Sequence, residues 1–341
     1  LTGKEVAIMA LELEKPPRVP VTLIAGGEWY VHAAGQTFAG LRSNPRKLAE
    51  VYVRAYQQVG HDLMWPGAGL LNYPAHFLGA PLRDDSSDSP VLEGAAIKGL
   101  DEVDSLRVET VLDHPDMKAM IEAYHLLADQ IGREVLLIAT QWGPFATAAR
   151  ILGTEAFMLA TAMEPERVKK LMEFSTELNW AMAERIMDHP DLAGLNLSEP
   201  VASGDMISPV TFRALAAPYL KDVVGRTRQA GKYSSLHICG NSLPMLDDVL
   251  DIGPDCFSLE AKVDLKAAKE KLAGRVCVAG NVAPSGAFWS GSPEEVKREA
   301  RQCLEVWGDD PGYILTVGCD FPKTVSLENV RALMSFKDGA S

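Results

Sequence analysis

Short runs of β-branched and aliphatic residues alternate with amphipathic stretches along the chain, most regularly in its second half, and each run closes on Gly or polar residues. Runs of that length and composition predict strands, here at 19–25, 62–65, 135–140, 194–198, 234–239, 255–259, 275–279 and 313–317. Between them, apolar positions recur at helical spacing over 45–59, 115–131, 165–187, 209–229, 243–250, 265–272, 293–307 and 327–336. Several of these helices announce their starts. Asn44-Pro45, Ser208-Pro209 and Ser292-Pro293-Glu294-Glu295 each set a side-chain acceptor before a proline that has no amide to satisfy.

Strands apolar on both faces, each followed by a helix, fit a parallel sheet covered on both sides. Eight such units predict an α/β fold, a closed (β/α)8 TIM barrel, with an open doubly wound sheet as the alternative. The whole chain, 1–341, reads as a single domain with an N-terminal helical segment and a long insertion, 67–114, after the second strand. The charge run Asp84-Asp85-Ser86-Ser87-Asp88 in that insertion reads as a solvated loop.

Composition narrows the function classes. With 33 Lys and Arg against 46 Asp and Glu, the net charge of -13 disfavours a surface that must neutralise nucleic-acid phosphates or an anionic membrane. The longest apolar stretches, such as 135–139, fall far short of the roughly 20 residues of a membrane span. Glu5, Glu12 and Glu14 break up any signal-peptide core, which places the protein in the cytoplasm. In a reducing compartment its five cysteines are core residues, metal ligands or nucleophiles rather than disulfides.

Barrel enzymes carry their chemistry at the carboxyl ends of the strands. Those ends hold Glu28, Trp29 and His32; Trp65; Gln141 and Trp142; Glu199; His237 and Cys239; Glu260; Asn281; and Cys319. In His237-Ile238-Cys239-Gly240 the two donors lie two apart, on one side of a strand, and can reach one ion. Cys319, beside Gly318 eighty positions on, supplies a third. One imidazole and two thiolates make a three-ligand Zn2+ site with an open fourth position, as catalytic zinc requires. The alternative is that the cysteines are small buried hydrophobes and His237 a hydrogen-bonded core residue. Cys256, Cys277 and Cys303 lack such company and read as packing. Trp29, Tyr30, Trp65, Tyr73, Phe77, Trp142 and Phe145 cluster around the first three strand ends, as a substrate pocket wall or as packing against the insertion, with Trp29, Tyr30, Trp65, Trp142 and Phe145 the candidate substrate contacts. Glu199 is the candidate catalytic carboxylate, with Asp205 beside it in the same role and Glu260 and Asn281 near the mouth. No nucleotide-binding glycine loop is present.

The segment Leu236-His237-Ile238-Cys239-Gly240-Asn241 with Gly318-Cys319 resembles the metal signature of the uroporphyrinogen decarboxylase superfamily in its zinc-dependent corrinoid methyltransferase branch, that of the methylcobamide:coenzyme M methyltransferases. Gly143-Pro144-Phe145, the stretch from Glu199 through Asp205 to Pro209, Val278-Ala279-Gly280-Asn281 and Leu327 to Leu333 carry the likeness along nearly the whole chain. The resemblance implies the same barrel, zinc on His237, Cys239 and Cys319, and methyl transfer between a corrinoid and a small molecule. The cobalamin would arrive on a partner corrinoid protein, since no Asp-x-His-x-x-Gly motif occurs here. Two directions stay open: a zinc-activated thiol takes the methyl group from cobalt, or a methyl ether such as a methoxyarene gives it to Co(I). A non-catalytic zinc scaffold is the reading from another class. Decarboxylation of a porphyrinogen is not expected, because residues 25–32 hold no arginine and carry the carboxylate of Glu28.

Overall fold

The computed structural model describes residues 1–338. A helix, Gly3–Leu11, precedes the barrel, its first turn closed by a capping box between Thr2 and Glu5. In chain order the strands are β1 (Leu63–Met64), β2 (Leu82–Arg83), β3 (Val91–Leu92), β4 (Leu136–Trp142), β5 (Leu192–Ser198), β6 (Tyr233–Ile238), β7 (Cys256–Leu259), β8 (Cys277–Val282) and β9 (Tyr313–Val317). Seven of them form one parallel sheet in the order β1-β4-β5-β6-β7-β8-β9, and β2 and β3 form a separate antiparallel hairpin inside the insertion.

The predicted first strand, 19–25, is not formed. Pro16, Pro17 and Pro20 bring no amide donors, and Ala25 and Gly26 turn the chain away with φ of +59° and +80°. What survives is a bridge between Val21 and Leu315. That bridge still closes the ring. The Thr22 amide donates to the Leu315 carbonyl, the Leu315 amide to Pro20, and on the other side the Asp62 amide to Val21. The architecture is therefore the expected TIM-like barrel with one staple in place of a strand.

Strand interiors such as Leu136, Leu137 and Ile138 are fully buried, as a sheet covered on both faces demands. Helices contribute one stripe each. Pro293–Trp307 starts with a capping box between Ser292 and Glu295 and buries Val296, Ala300, Cys303 and Trp307. Full burial of each large apolar side chain contributes about 1.5–3 kcal/mol. The predicted helix 209–229 divides into Pro209–Leu215 and Ala217–Gln229, because Pro218 has no amide to donate to the carbonyl four residues back and its ring crowds that carbonyl. The helices Pro144–Leu152, which follows β4 directly, and Gly27–Ala33 were not expected and matter below.

The acidic loop 84–88 is more than a solvated turn. Asp84 accepts from Arg42 and from the Tyr73 hydroxyl, Asp88 pairs with Lys323 at 2.6 Å, and the Ser89 amide donates to Glu28. The insertion is thus strapped across the carboxyl ends of the strands. No helix among the described residues is long and apolar enough to cross a membrane.

Candidate metal centre

Strand β6 delivers His237 on its penultimate residue and Cys239 just beyond its end. Gly240 follows with φ +69°, a backbone state that side chains resist, and a Cβ there would fall 2.5 Å from Asp205 Oδ2. The glycine turns the chain as soon as the second donor is placed. Cys319 comes from the end of β9, after Gly318, whose missing side chain lets the backbone approach Ala261 so closely that a Cβ would sit 2.4 Å from its amide nitrogen.

Three donors converge. Cys239 Sγ lies 3.3 Å from His237 Nε2, Cys319 Sγ lies 3.6 Å from the same nitrogen, and the two sulfurs are 3.9 Å apart. A tetrahedral zinc with ordinary Zn–S and Zn–N bonds needs its sulfurs about 3.8 Å apart and each sulfur about 3.6 Å from the nitrogen. The three separations fit. Behind the imidazole, Nδ1 lies 3.0 Å from Ser258 Oγ on β7, a contact that orients the ring and leaves Nε2 for the ion. The hydrogen bond from Cys239, together with His237, holds the Cys319 thiol well below its ordinary range, while the bond to Cys319 and burial push Cys239 up. Two sulfurs and an imidazole nitrogen held this close are the donor set a divalent cation would complete.

The centre forms one wall of a cavity of about 160 Å³, bounded by Ile24, Ala68, Leu71, Trp142, Asn196 and Pro200, with Ser89 and Pro90 of the insertion overhead. Of the five aromatic residues predicted as substrate contacts, only Trp142 lines this cavity. Its indole N–H donates to Asn72 Oδ1 at 2.9 Å, and Asn72 donates in turn to the Pro90 carbonyl. The other four do not line it. Trp29 and Tyr30 belong to the helix Gly27–Ala33, which packs so tightly that a Cβ on Gly27 would overlap the Ala68 carbonyl. That helix turns Trp29 inward, its N–H on the Val325 carbonyl, and sets Tyr30 between Tyr52 and His61. Trp65 and Phe145 are core residues, Phe145 edge-on to Phe157.

Glu199 is also placed differently from expectation. It is fully buried, does not line the cavity, and its two oxygens accept from the Phe145 and Ala146 amides at the start of the helix Pro144–Leu152. Burial pushes its carboxyl up to about 8 against the pull of those amides. It braces the start of that helix. Asp205 bonds the Asn241 amide, Glu260 accepts from the Gly240 amide, and the Asn281 side chain donates to the Glu260 and Val263 carbonyls, so all three brace the turns around the centre. Cys256 and Cys277 are fully buried register partners on β7 and β8, and Cys303 is buried on its helix. Asn72 was missed because nothing local marks an asparagine in an insertion as the partner of a tryptophan seventy residues away.

Comparison with known proteins gives a consistent picture. The family model described as "Uroporphyrinogen decarboxylase (URO-D)" matches residues 2–338. The chain is 24% identical to the methylcobamide:CoM methyltransferase MtbA of Methanosarcina mazei, over 98% of this chain and 96% of that protein. It is 25% identical to the methylcobamide:CoM methyltransferase MtaA of Methanosarcina barkeri, over 99% and 98%. A uroporphyrinogen decarboxylase of Chlorobaculum parvum is 23% identical over 96% of this chain and 95% of its own. Among solved structures, a methyltransferase from Methanosarcina mazei superposes with a TM-score of 0.89 at 23% identity, covering 99% of both chains, and so shares the fold.

Proposed function

The chain belongs to the uroporphyrinogen decarboxylase family, and within it we propose that it is a zinc-dependent methyltransferase that works with a corrinoid protein and moves a methyl group from corrinoid cobalt to a small thiol. The observation that carries this reading is the trio of donor separations around His237, Cys239 and Cys319, which fit a three-ligand tetrahedral centre beside a cavity. Zn2+ held by these residues supplies the positive charge that brings a thiol's proton off near neutral pH.

The protein's own residues do the rest. His237 and the two cysteines fix where the substrate sulfur sits. Ser258 Oγ, 3.0 Å from Nδ1, orients the imidazole so that Nε2 faces the two sulfurs. Trp142, tied down by Asn72, and Leu71 shape the space beside the sulfur and keep water from it. The thiolate then attacks the methyl carbon presented at the barrel mouth. A carbon–sulfur bond would form as the donor's cobalt–carbon bond breaks, the electron pair of that bond would leave with the corrinoid, and the product would be a thioether.

Two features favour transfer to a thiol over porphyrinogen decarboxylation or ether demethylation. Among the described residues lining the cavity there is no Lys or Arg to hold a polycarboxylate. Among the described residues Trp142 is the one Phe, Tyr or Trp that lines it, too few to sandwich a methoxyarene. A scaffold role leaves the donors' open side and the adjoining cavity without a use.

The test is spectral. Methylcobalamin is mixed with the zinc-loaded protein and a panel of thiols, and Co(I) cobalamin with methoxyarenes. Demethylation of methylcobalamin by thiols, lost in a triple alanine variant of His237, Cys239 and Cys319, is expected. Reaction of methoxyarenes alone would overturn the proposal.

A further inference from the structure

Behind Trp142 the structure holds a second, smaller cavity of about 40 Å³ that shares Leu71, Thr140 and Trp142 with the metal cavity. Trp142 is the partition between them. One ring face lies under the Arg150 guanidinium, 5.3 Å from the ring centre, and the indole N–H is held by Asn72. The far walls are apolar: Leu70, Met117, Met120, Tyr124, Met182 and Ile186. Polar side chains interrupt them, and three of these carry a buried atom with no partner: Gln141 Oε1, Asn179 Oδ1 and Arg150 Nε.

The orientation of both amides is set. Gln141 Nε2 donates to the Asn179 carbonyl, and Asn179 Nδ2 donates to the Trp142 carbonyl and to Thr147 Oγ1, so the unpartnered atoms of both are acceptors. Asn179 is fully buried and Gln141 is 6% exposed. Buried polar groups are normally satisfied, and a lone orphan in a native fold needs a reason. Here two acceptors and one donor belong to side chains of one largely apolar slot, separated by Trp142 from the cavity beside the candidate metal centre.

We propose that this slot is the substrate's specificity pocket: it takes an apolar arm of the thiol that ends in a neutral donor–acceptor group, a hydroxyl or a primary carboxamide. Such a group donates to Gln141 or Asn179 and accepts from Arg150. An anionic end would meet the guanidinium but also the two carbonyl oxygens, and an ammonium would meet the guanidinium. The inference rests on the thiol-acceptor reading above and adds the chemical class of the acceptor.

The test pairs chain lengths. Protein loaded with Co2+ in place of zinc is titrated with 2-mercaptoethanol, 4-mercaptobutan-1-ol and 6-mercaptohexan-1-ol, and with the alkanethiols of the same chain lengths, reading the sulfur-to-cobalt charge-transfer band. The expected result is a terminal hydroxyl that does nothing in the shortest pair and tightens binding about tenfold in a longer one. In Gln141→Met that gain falls to near unity, while the short thiols bind as before and so report an intact fold and centre. Absence of a hydroxyl gain at every length, or tighter binding of 2-mercaptoethanesulfonate and 3-mercaptopropionate than of the hydroxyl thiols, overturns the proposal. If no thiol perturbs the cobalt band, the thiol reading itself fails. The pocket is then judged separately by hexan-1-ol binding to metal-free protein, read by tryptophan fluorescence: saturable binding lost in Gln141→Met supports it, and none overturns it.

Discussion

The sulfur of Cys239 stands 3.9 Å from that of Cys319, although eighty residues separate them and they leave the barrel on strands that are not neighbours in the sheet. Two thiols brought that close, beside an imidazole and without a disulfide, suit a shared cation far better than bulk packing does. Replacing either with serine swaps a soft thiolate for a hard, mostly protonated hydroxyl. Each single variant should bind zinc at least about 100-fold more weakly, beyond the effect of losing an outer-shell partner. Zinc-competition titration with a chromophoric chelator measures this. Equal affinity in wild type and Cys319→Ser would place the ion elsewhere.

The centre was legible in the sequence because period-two geometry is local: His237 and Cys239 share a strand face whatever the rest of the barrel does. Cys319 followed from its glycine neighbour and its strand end. The aromatic wall was not legible. Trp29 and Tyr30 follow a run that looks like a strand, but the double glycine at 26–27 starts a helix there, and a helix decides facing differently from a loop. Glu199 was found as a strand-end carboxylate. Its direction was set by the helix Pro144–Leu152, which the predicted element pattern did not contain. The ring was predicted with eight strands, and the staple at Val21 shows that closure requires backbone bonds on both sides rather than a full strand.

The contact between Glu199 and the helix start at Gly143 should appear as a coupling. A Cβ on Gly143 would lie 2.2 Å from Glu199 Oε1. Gly143→Ala should therefore destabilise the protein by about 1–3 kcal/mol through overpacking. Glu199→Ala removes the obstacle and leaves the Phe145 and Ala146 amides unpaired, which by itself costs about 1–3 kcal/mol. In the Glu199→Ala background the Gly143→Ala change should be close to neutral. Urea unfolding of the four proteins in the cycle checks it, and additive losses would refute the close contact.

Asn72 predicts a kinetic signature. In Asn72→Ala the Trp142 indole loses its acceptor, a bond worth about 0.5–1.5 kcal/mol, while the metal ligands keep every contact they have. Substrate KM should rise by up to about tenfold with zinc content unchanged and kcat little altered, because the partition loosens without touching the reacting sulfur. A fall in kcat at constant KM would assign Asn72 a part in the transfer step instead.

The last prediction concerns acid. His61 is 1% exposed, and burial pulls its imidazole from its ordinary value down to about 3, with Lys337 adding to the pull and Asp62 opposing it. Its ring nitrogens face the Thr22 and Tyr30 hydroxyls, at 3.4 and 3.3 Å, while the Asp62 carboxylate is engaged by Arg18 and Lys337. Below its unfolded pKa near 6.5 the unfolded chain takes up a proton at His61 that the folded chain refuses. Stability from this group is therefore full above about pH 6.5 and is lost as the pH falls toward 3, with a slope of up to about 1.4 kcal/mol per pH unit. Glutamine keeps the position neutral at every pH. His61→Gln should flatten the stability profile by that slope between pH 6.5 and the onset of acid unfolding and leave it parallel to wild type above pH 7. Denaturant melts at half-unit steps measure both profiles, and curves that stay parallel down to pH 4 would mean that His61 is protonated in the folded protein.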